Sequence, residues 1–317
     1  MDTIEKKNLL DYLSKMQFTY RSTLNVPEDM RFGAEIEFMN KNLFDTERLI
    51  RKVINNNSDF KKLYKLSCYN RVEKRNHNLK IYEVKTPVLS NIEEDFDGLK
   101  NVCRSLESLN VIPSNEKGIH VHTDLSVLED NTRFLETFLK IFCIYEHIIF
   151  RFSYGEENES TINMSSYSRE VSHRIFNYLK RYDKFMPYRE ILTELRELLK
   201  CKSYAINFHQ KDSSCKNETI EVRTFNSTTN PVVIQNDINL LLNMINQIVN
   251  NDIDIDLLDY RFSEYDRSFY VKEKYSDLNI EDAIEFSDLV FKKSIDKDYF
   301  LRQYIIKDKS KQKKLVI

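Results

Sequence analysis

Arg31-Phe32-Gly33-Ala34-Glu35-Ile36-Glu37-Phe38 is the stretch on which the reading of this chain turns. Side chains alternate across a β-strand, so residues two apart share a face. Phe32, Ala34, Ile36 and Phe38 fall on one face, and Gly33, Glu35 and Glu37 on the other. The apolar set belongs against a core, which leaves the acids turned away from it. The same split recurs in Ile119 to Leu125, where Gly118, His120, His122 and Asp124 oppose Ile119, Val121 and Leu125. In Thr219 to Phe225, Glu221 and Arg223 oppose Ile220, Val222 and, less cleanly, Thr224. In Leu79 to Lys85, Glu83 and Lys85 oppose Tyr82 and Val84. Ser203 to Phe208 also reads as a strand. Short amphipathic strands interleaved with helices imply an α+β fold, with a largely antiparallel sheet and helices over one face.

Between the strands the apolar spacing becomes helical. Residues 4 to 16 place Ile4, Leu9, Leu10, Leu13 and Met16 on a short amphipathic helix. Asn91 with Glu94 three residues on has the form of a capping box, ahead of Phe96, Leu99, Val102, Cys103, Leu106 and Leu109. Asn131 opens a helix that is apolar on nearly every side from Phe134 to Phe150, which predicts a buried central helix. Residues 170 to 200 predict two charged amphipathic helices broken near Pro187. Asn230 followed by Pro231 is an N-cap with a first-turn proline, opening a helix from Val232 to Val249.

Composition limits the chemistry. With 41% apolar and 31% charged residues, a chain of 317 residues is neither a disordered polyampholyte nor a membrane protein. Its most apolar run, Ile141 to Phe150, contains Glu146 and His147 and is far short of the roughly 20 residues a membrane span needs. The N-terminus carries Asp2, Glu5, Lys6 and Lys7 but no apolar block resembling a secretory signal. Cys68, Cys103, Cys143, Cys201 and Cys215 are odd in number and contain no CxxC, which suits a reducing compartment. A cytoplasmic location is expected. A net charge of −2 offers no field for nucleic acid, so neither nucleic acid nor membrane is expected as a partner. The basic run from Lys307 to Lys314 reads as a solvated end.

Glycine gives the sharpest exclusion. Only Gly33, Gly98, Gly118 and Gly155 occur, against a usual share of about 7%. The dinucleotide fingerprint and the Walker loop both need clustered or correctly spaced glycines, and both are absent. A nucleotide held by this chain must therefore be held through metal ions and cationic side chains. Gly33 and Gly118 stand two residues before Glu35 and His120, where a missing side chain would let a ligand approach the strand.

The residue types on the polar faces are the second signal. An ordinary solvated sheet face favours Thr, Lys, Arg and Gln, whereas these faces read Glu-x-Glu, His-x-His-x-Asp and Glu-x-Arg. Like charges side by side repel unless something cationic lies between them, and a divalent metal meets that need. Hard oxygen ligands suit Mg2+ or Mn2+, and added imidazole tilts the set toward Mn2+ or Zn2+.

Four segments in order, Phe32-Gly33-Ala34-Glu35-Ile36-Glu37-Phe38, Tyr82-Glu83-Val84-Lys85-Thr86-Pro87, Gly118-Ile119-His120-Val121-His122-Thr123-Asp124 and Glu221-Val222-Arg223-Thr224-Phe225-Asn226-Ser227-Thr228, resemble the amidoligase family, relatives of glutamine synthetase and glutamate-cysteine ligase. The resemblance runs from about residue 31 to 230. It implies a curved antiparallel sheet with helices on its convex face, and a concave face that binds ATP with Mg2+ or Mn2+ and joins a carboxylate to an amine through an acyl phosphate. The carboxylate and amine substrates could be small molecules, peptides or protein side chains. By motif position, Glu35, Glu37, Glu83, His120 and Glu221 are the implied metal ligands. Glu221, Arg223 and His122 are the implied catalytic residues, with Arg223 on the transferring phosphoryl group. His122 and Asp124 carry the alternative of orienting His120. Lys85 stands where the family more often has a small residue; it either meets phosphate with Arg223 or neutralises Glu83. Asn207, Arg169 and Asn226 are candidate substrate contacts, Arg169 within a polar loop from Tyr154 to Arg174.

The expected organisation is an N-terminal helical extension over 1–30, a catalytic domain over 31–250, and a mainly helical part with a basic tail over 251–317. Two alternatives remain. One is a metal-dependent hydrolase using His120 and His122, weakened because His77, His147, His173 and His209 are scattered in sequence. The other is a binding module that kept the fold without catalysis.

Overall fold

The computed structural model describes residues 3–40, 48, 65–73, 76–113, 118–128, 130–154, 168–209, 218–265 and 279–305. The strands are β1 (Arg31–Asn40), β2 (Lys65–Glu73), β3 (Asn76–Lys85), β4 (Leu89–Ser90), β5 (Ile112–Pro113), β6 (Gly118–Asp124), β7 (Ile206–His209) and β8 (Thr219–Asn226). They form an open sheet in the order β2-β3-β1-β6-β8-β7, with β4 and β5 also pairing to β1. Every pairing is antiparallel. The helices are α1 (Thr3–Lys15), α2 (Glu93–Ser108), α3 (Thr132–Tyr154), α4 (Ser172–Leu179), α5 (Tyr188–Leu198), α6 (Pro231–Val249), α7 (Ile255–Ser263), α8 (Ile280–Val290) and α9 (Ser294–Ile305).

The apolar strand faces meet the helices. Phe32 of β1 stacks on Phe96 of α2 at 5.4 Å between centroids, and Phe208 of β7 and Phe225 of β8 lie edge-on to Phe138 and Phe152 of α3. Ile36, Phe38, Val84, Ile119 and Val121 are fully buried. Burial of such a side chain contributes about 1.5–3 kcal/mol each, which fixes the register by punishing a one-residue slip. α6 is buried nearly all round. α1 docks on α9, where the Tyr12 hydroxyl donates to Asp298. No described helix is long and apolar enough to cross a membrane.

Several expectations are met and others corrected. Asn131 and Asn230 cap α3 and α6, accepting from the amides of Arg133 and Val232. The buried central helix is α3, kinked at Tyr145, and Pro187 separates α4 from α5. The capping box at Asn91 does not form. α2 starts at Glu93 with no side-chain cap, because the Asn91 side chain is bonded to the backbones of Leu24 and Val26. The strand expected over Ser203 to Phe208 is reduced to β7; Tyr204 makes only an isolated parallel bridge with Arg169. β2, β4 and β5 were not expected. The basic tail from Lys307 to Lys314 and residues 155–167 of the polar loop lie outside the described residues.

Candidate active site

The register brings the polar positions of β1, β3, β6, β7 and β8 together. Glu35 of β1 stands opposite Lys85 on one side and His120 on the other, and Glu37 stands opposite Glu83. His122 faces Gly33 across β1 and Glu221 across β8, and Asn207 faces Glu221 from β7. Between the pairs Ile119–Phe225 and Val121–Val222, β6 has one residue and β8 has two, Arg223 and Thr224. This bulge lets Val222 and Phe225 both be buried, whereas strict alternation would have put them on opposite faces.

These acids are not a solvated sheet face. Glu37, Glu83, His120 and Glu221 are each 2% exposed or less. Buried carboxylates require hydrogen bonds and compensating cations. Lys85 supplies part of this, with Nζ 2.5 Å from Glu35 Oε1 and 3.0 Å from Glu83 Oε2. His120 Nδ1 lies 2.9 Å from Glu35 Oε2 and 3.4 Å from Glu221 Oε1, and its Nε2 lies 3.5 Å from Glu37 Oε2. His122 Nε2 is 3.5 Å from both Glu35 Oε1 and Glu221 Oε1. Arg223 Nη1 holds Glu221 Oε1 at 2.6 Å, and the Gly118 amide donates to Glu37 Oε2.

The electrostatics follow from these contacts. Burial alone would raise the Glu35 pKa, but the hydrogen bond with His120 and the close imidazoles of His120 and His122 outweigh it and hold the carboxyl far below its usual range. Glu221 is likewise held well down against its burial, by the His209 hydrogen bond and the charges of His120, His122 and Arg223. Both are ionised at neutral pH. Burial would lower His122 and Lys85, yet both are raised, His122 by Glu35 and Glu221, and Lys85 by Glu35 and Glu83.

The donor set fits divalent metal ions. Glu35, His120 and Glu221 offer one ligand atom each within 4.8 Å of one another, as do His122, His209 and Glu221. The Nε2 atoms of His120 and His122 are buried without hydrogen-bond partners, the state expected of imidazoles awaiting a cation. The Nε of Arg223 is likewise buried with no hydrogen-bond partner.

His209 corrects the sequence reading that set it apart. Its Nε2 lies 2.7 Å from Glu221 Oε2 and its ring 5.6 Å from that of His122. The available signal was the alternation of β7, in which Asn207 and His209 share the polar face opposite Ile206 and Phe208. Asn207 is buried beside Glu221 and donates to the Tyr204 carbonyl. Asp124 instead accepts from the Ser126 amide at the strand end. Asn226 closes β8 opposite Gly118. Arg169 is tied by backbone bonds to Ser203 and Ala205, and its charge acts on Cys201. A Cβ at Gly33 would lie 3.7 Å from Thr86 Oγ1 and 4.0 Å from His122 Cβ, ordinary contact distances.

No curated protein matches the chain. Among solved structures, the complex between the prokaryotic ubiquitin-like protein Pup and its ligase PafA is similar at 13% identity and a TM-score of 0.38, over 88% of this chain and 63% of that one. The chain thus spans less than two thirds of that protein's length, and so distant a likeness carries no argument about the site. The family described as "Putative amidoligase enzyme" matches residues 28–245, a span that takes in all the clustered residues. The chain belongs to the amidoligase family of amide-bond-forming ligases.

Proposed function

We propose that the protein is an ATP- and Mg2+- or Mn2+-dependent carboxylate–amine ligase that works through an acyl phosphate. The observation that carries this reading is a nearly dry constellation of Glu35, Glu37, Glu83, His120 and Glu221, bordered by Lys85 and Arg223. Its acids and imidazole suit divalent ions, and its two cations suit a polyanion. When bound, ATP and its ions supply the phosphoryl group that activates the carboxylate, and the amine then displaces phosphate to form the amide. Glu35, Glu37, Glu83, His120 and Glu221 hold the ions. Arg223 stabilises charge on the transferring group, a role suited to its rigid, permanently charged fork. Lys85 is 39% exposed at the mouth of the cluster, where it is able to exchange Glu35 and Glu83 for phosphate oxygens. His122 keeps His120 and Glu221 in place and faces the acceptor side. Asn207, Asn226 and Arg169 are the residues we assign to substrate contact.

A metal-dependent hydrolase is the second reading, favoured by one observation: His209 joins His122 and Glu221 in a two-imidazole, one-carboxylate group. Calorimetry separates the two. Clustered carboxylates repel bare triphosphate, so ATP binds in the presence of Mg2+ or Mn2+ and not in excess chelator. Equal ATP affinity in chelator, or no ATP binding with any metal, contradicts the ligase reading.

A further inference from the structure

We propose that His122, His209 and Glu221 form a second metal position that prefers a divalent transition-metal ion to Mg2+, next to the oxygen-rich position of Glu35, His120 and Glu221. The two groups share one carboxylate and differ in chemistry. The first has two carboxylates and one imidazole, a set that Mg2+ accepts. The second has two imidazoles and one carboxylate, which suits Mn2+, Co2+ or Zn2+, because neutral nitrogen donors raise affinity along the first-row series while Mg2+ keeps to oxygen and water.

Glu221 is built to serve both. Its Oε1 is the oxygen approached by His120, His122 and Arg223, whereas its Oε2 lies 2.7 Å from His209 Nε2. A carboxylate presented this way would be able to serve an ion in each position. His122 Nε2 is buried with no hydrogen-bond partner, so one imidazole of the pair is already dry and aimed among acceptors. His209 is 42% exposed and stands at the open side. Ligands of a single ion at about 2.0–2.2 Å from it lie roughly 3–4 Å apart, so a modest rotation of this exposed side chain completes the set. The exposed flank leaves room for water or substrate as further ligands. The deep position draws Glu35, His120 and Glu221 from β1, β6 and β8, all largely buried, whereas the outer one draws on β6, β7 and β8 and includes the 42% exposed His209, so the outer ion is the more readily exchanged.

The test needs neither ATP nor substrate, so its outcome is separate from that of the ligase reading. Metal-free full-length protein is titrated with Co2+ in excess Mg2+ while ligand-field absorption is recorded. The wild type should keep one Co2+ per chain with bands typical of imidazole ligation. His209→Asn, at a half-exposed position that does not threaten folding, should weaken this binding by more than roughly tenfold and lose the bands. Glu35→Gln, which removes a ligand of the deep position and leaves all three ligands of the outer one in place, should retain the ion. Full displacement of Co2+ by Mg2+ in the wild type, or Co2+ binding by His209→Asn with unchanged affinity and spectrum, overturns the proposal.

Discussion

At the residue scale, Glu221 and Arg223 carry the reaction argument. They sit two apart on β8 and are locked at 2.6 Å, so the guanidinium both pairs with a buried carboxylate and keeps Nε without a partner. If Arg223 acts mainly on the transferring phosphoryl, Arg223→Lys keeps the charge and loses the fork. Steady-state kinetics should then show kcat falling by roughly 100-fold with a smaller rise in the KM for ATP. An unchanged kcat assigns Arg223 to a structural pairing with Glu221. Most of the clustered residues were legible because they lie in long, cleanly alternating strands: Glu35, Glu37, Glu83, His120, His122 and Glu221 each sit two residues from another polar position. His209 was not, because β7 is only four residues long and its alternation is too short to stand out. The near-complete burial of Glu37 and Glu83 was equally hidden, since alternation assigns a face and not a depth.

At the element scale, tertiary contacts decide what local patterns leave open. Asn91 satisfies the rules for a helix cap and is used elsewhere, because the turn from Leu24 to Val26 has buried backbone groups that need it more. A comparable polar junction joins the segment before β1, α6 and α9. Asp296, fully buried, accepts from Arg21 at 2.6 Å, Asn25 at 2.8 Å and Asn239 at 3.0 Å. Asp296→Ala strands the guanidinium and both amides, and urea unfolding should show a loss of about 3–5 kcal/mol. A loss below about 1 kcal/mol would mean that water replaces the carboxylate there.

α8 is fastened differently, by charge. Asp282 lies 3.6 Å from His147 of α3 and 3.2 Å from Arg261 of α7. The nearby His147 does most to depress the Asp282 pKa; burial opposes it, and the charge of Arg261 and the Asn279 side-chain hydrogen bond assist. A depressed acid stabilises the fold above its unfolded value of 3.8 and ceases to do so as the pH falls through its folded value. Asp282→Asn should therefore be less stable than the wild type at neutral pH, and the gap in urea midpoints should close below about pH 3.8. A gap independent of pH would show that packing, not charge, holds α8.

At the scale of the whole molecule, the sheet divides labour between its faces. One face is apolar and covered by helices, and its register is set by side chains such as Ile36 and Val121. The other collects acids, imidazoles and two cations from five strands far apart in sequence. The antiparallel α+β architecture was legible because each strand is amphipathic and each helix has its own spacing or cap. The sheet's additional strands were not: β4 and β5 are two residues long and exist only as pairings to β1. On the proposed function, the buried carboxylates with Lys85 and Arg223 take the place that a glycine-rich phosphate loop has in other nucleotide sites.

The most direct measurement of the central claim does not require the natural amine. An acyl phosphate is intercepted by a strong small nucleophile, so hydroxylamine, ATP, Mg2+ and a pool of candidate carboxylates should yield a hydroxamate detectable by mass spectrometry, with one ADP for each. Glu35→Gln, which removes one ligand charge and keeps the shape, should abolish hydroxamate and ADP together. AMP and pyrophosphate as the products, or a hydroxamate formed equally well without ATP, would contradict the acyl-phosphate ligase.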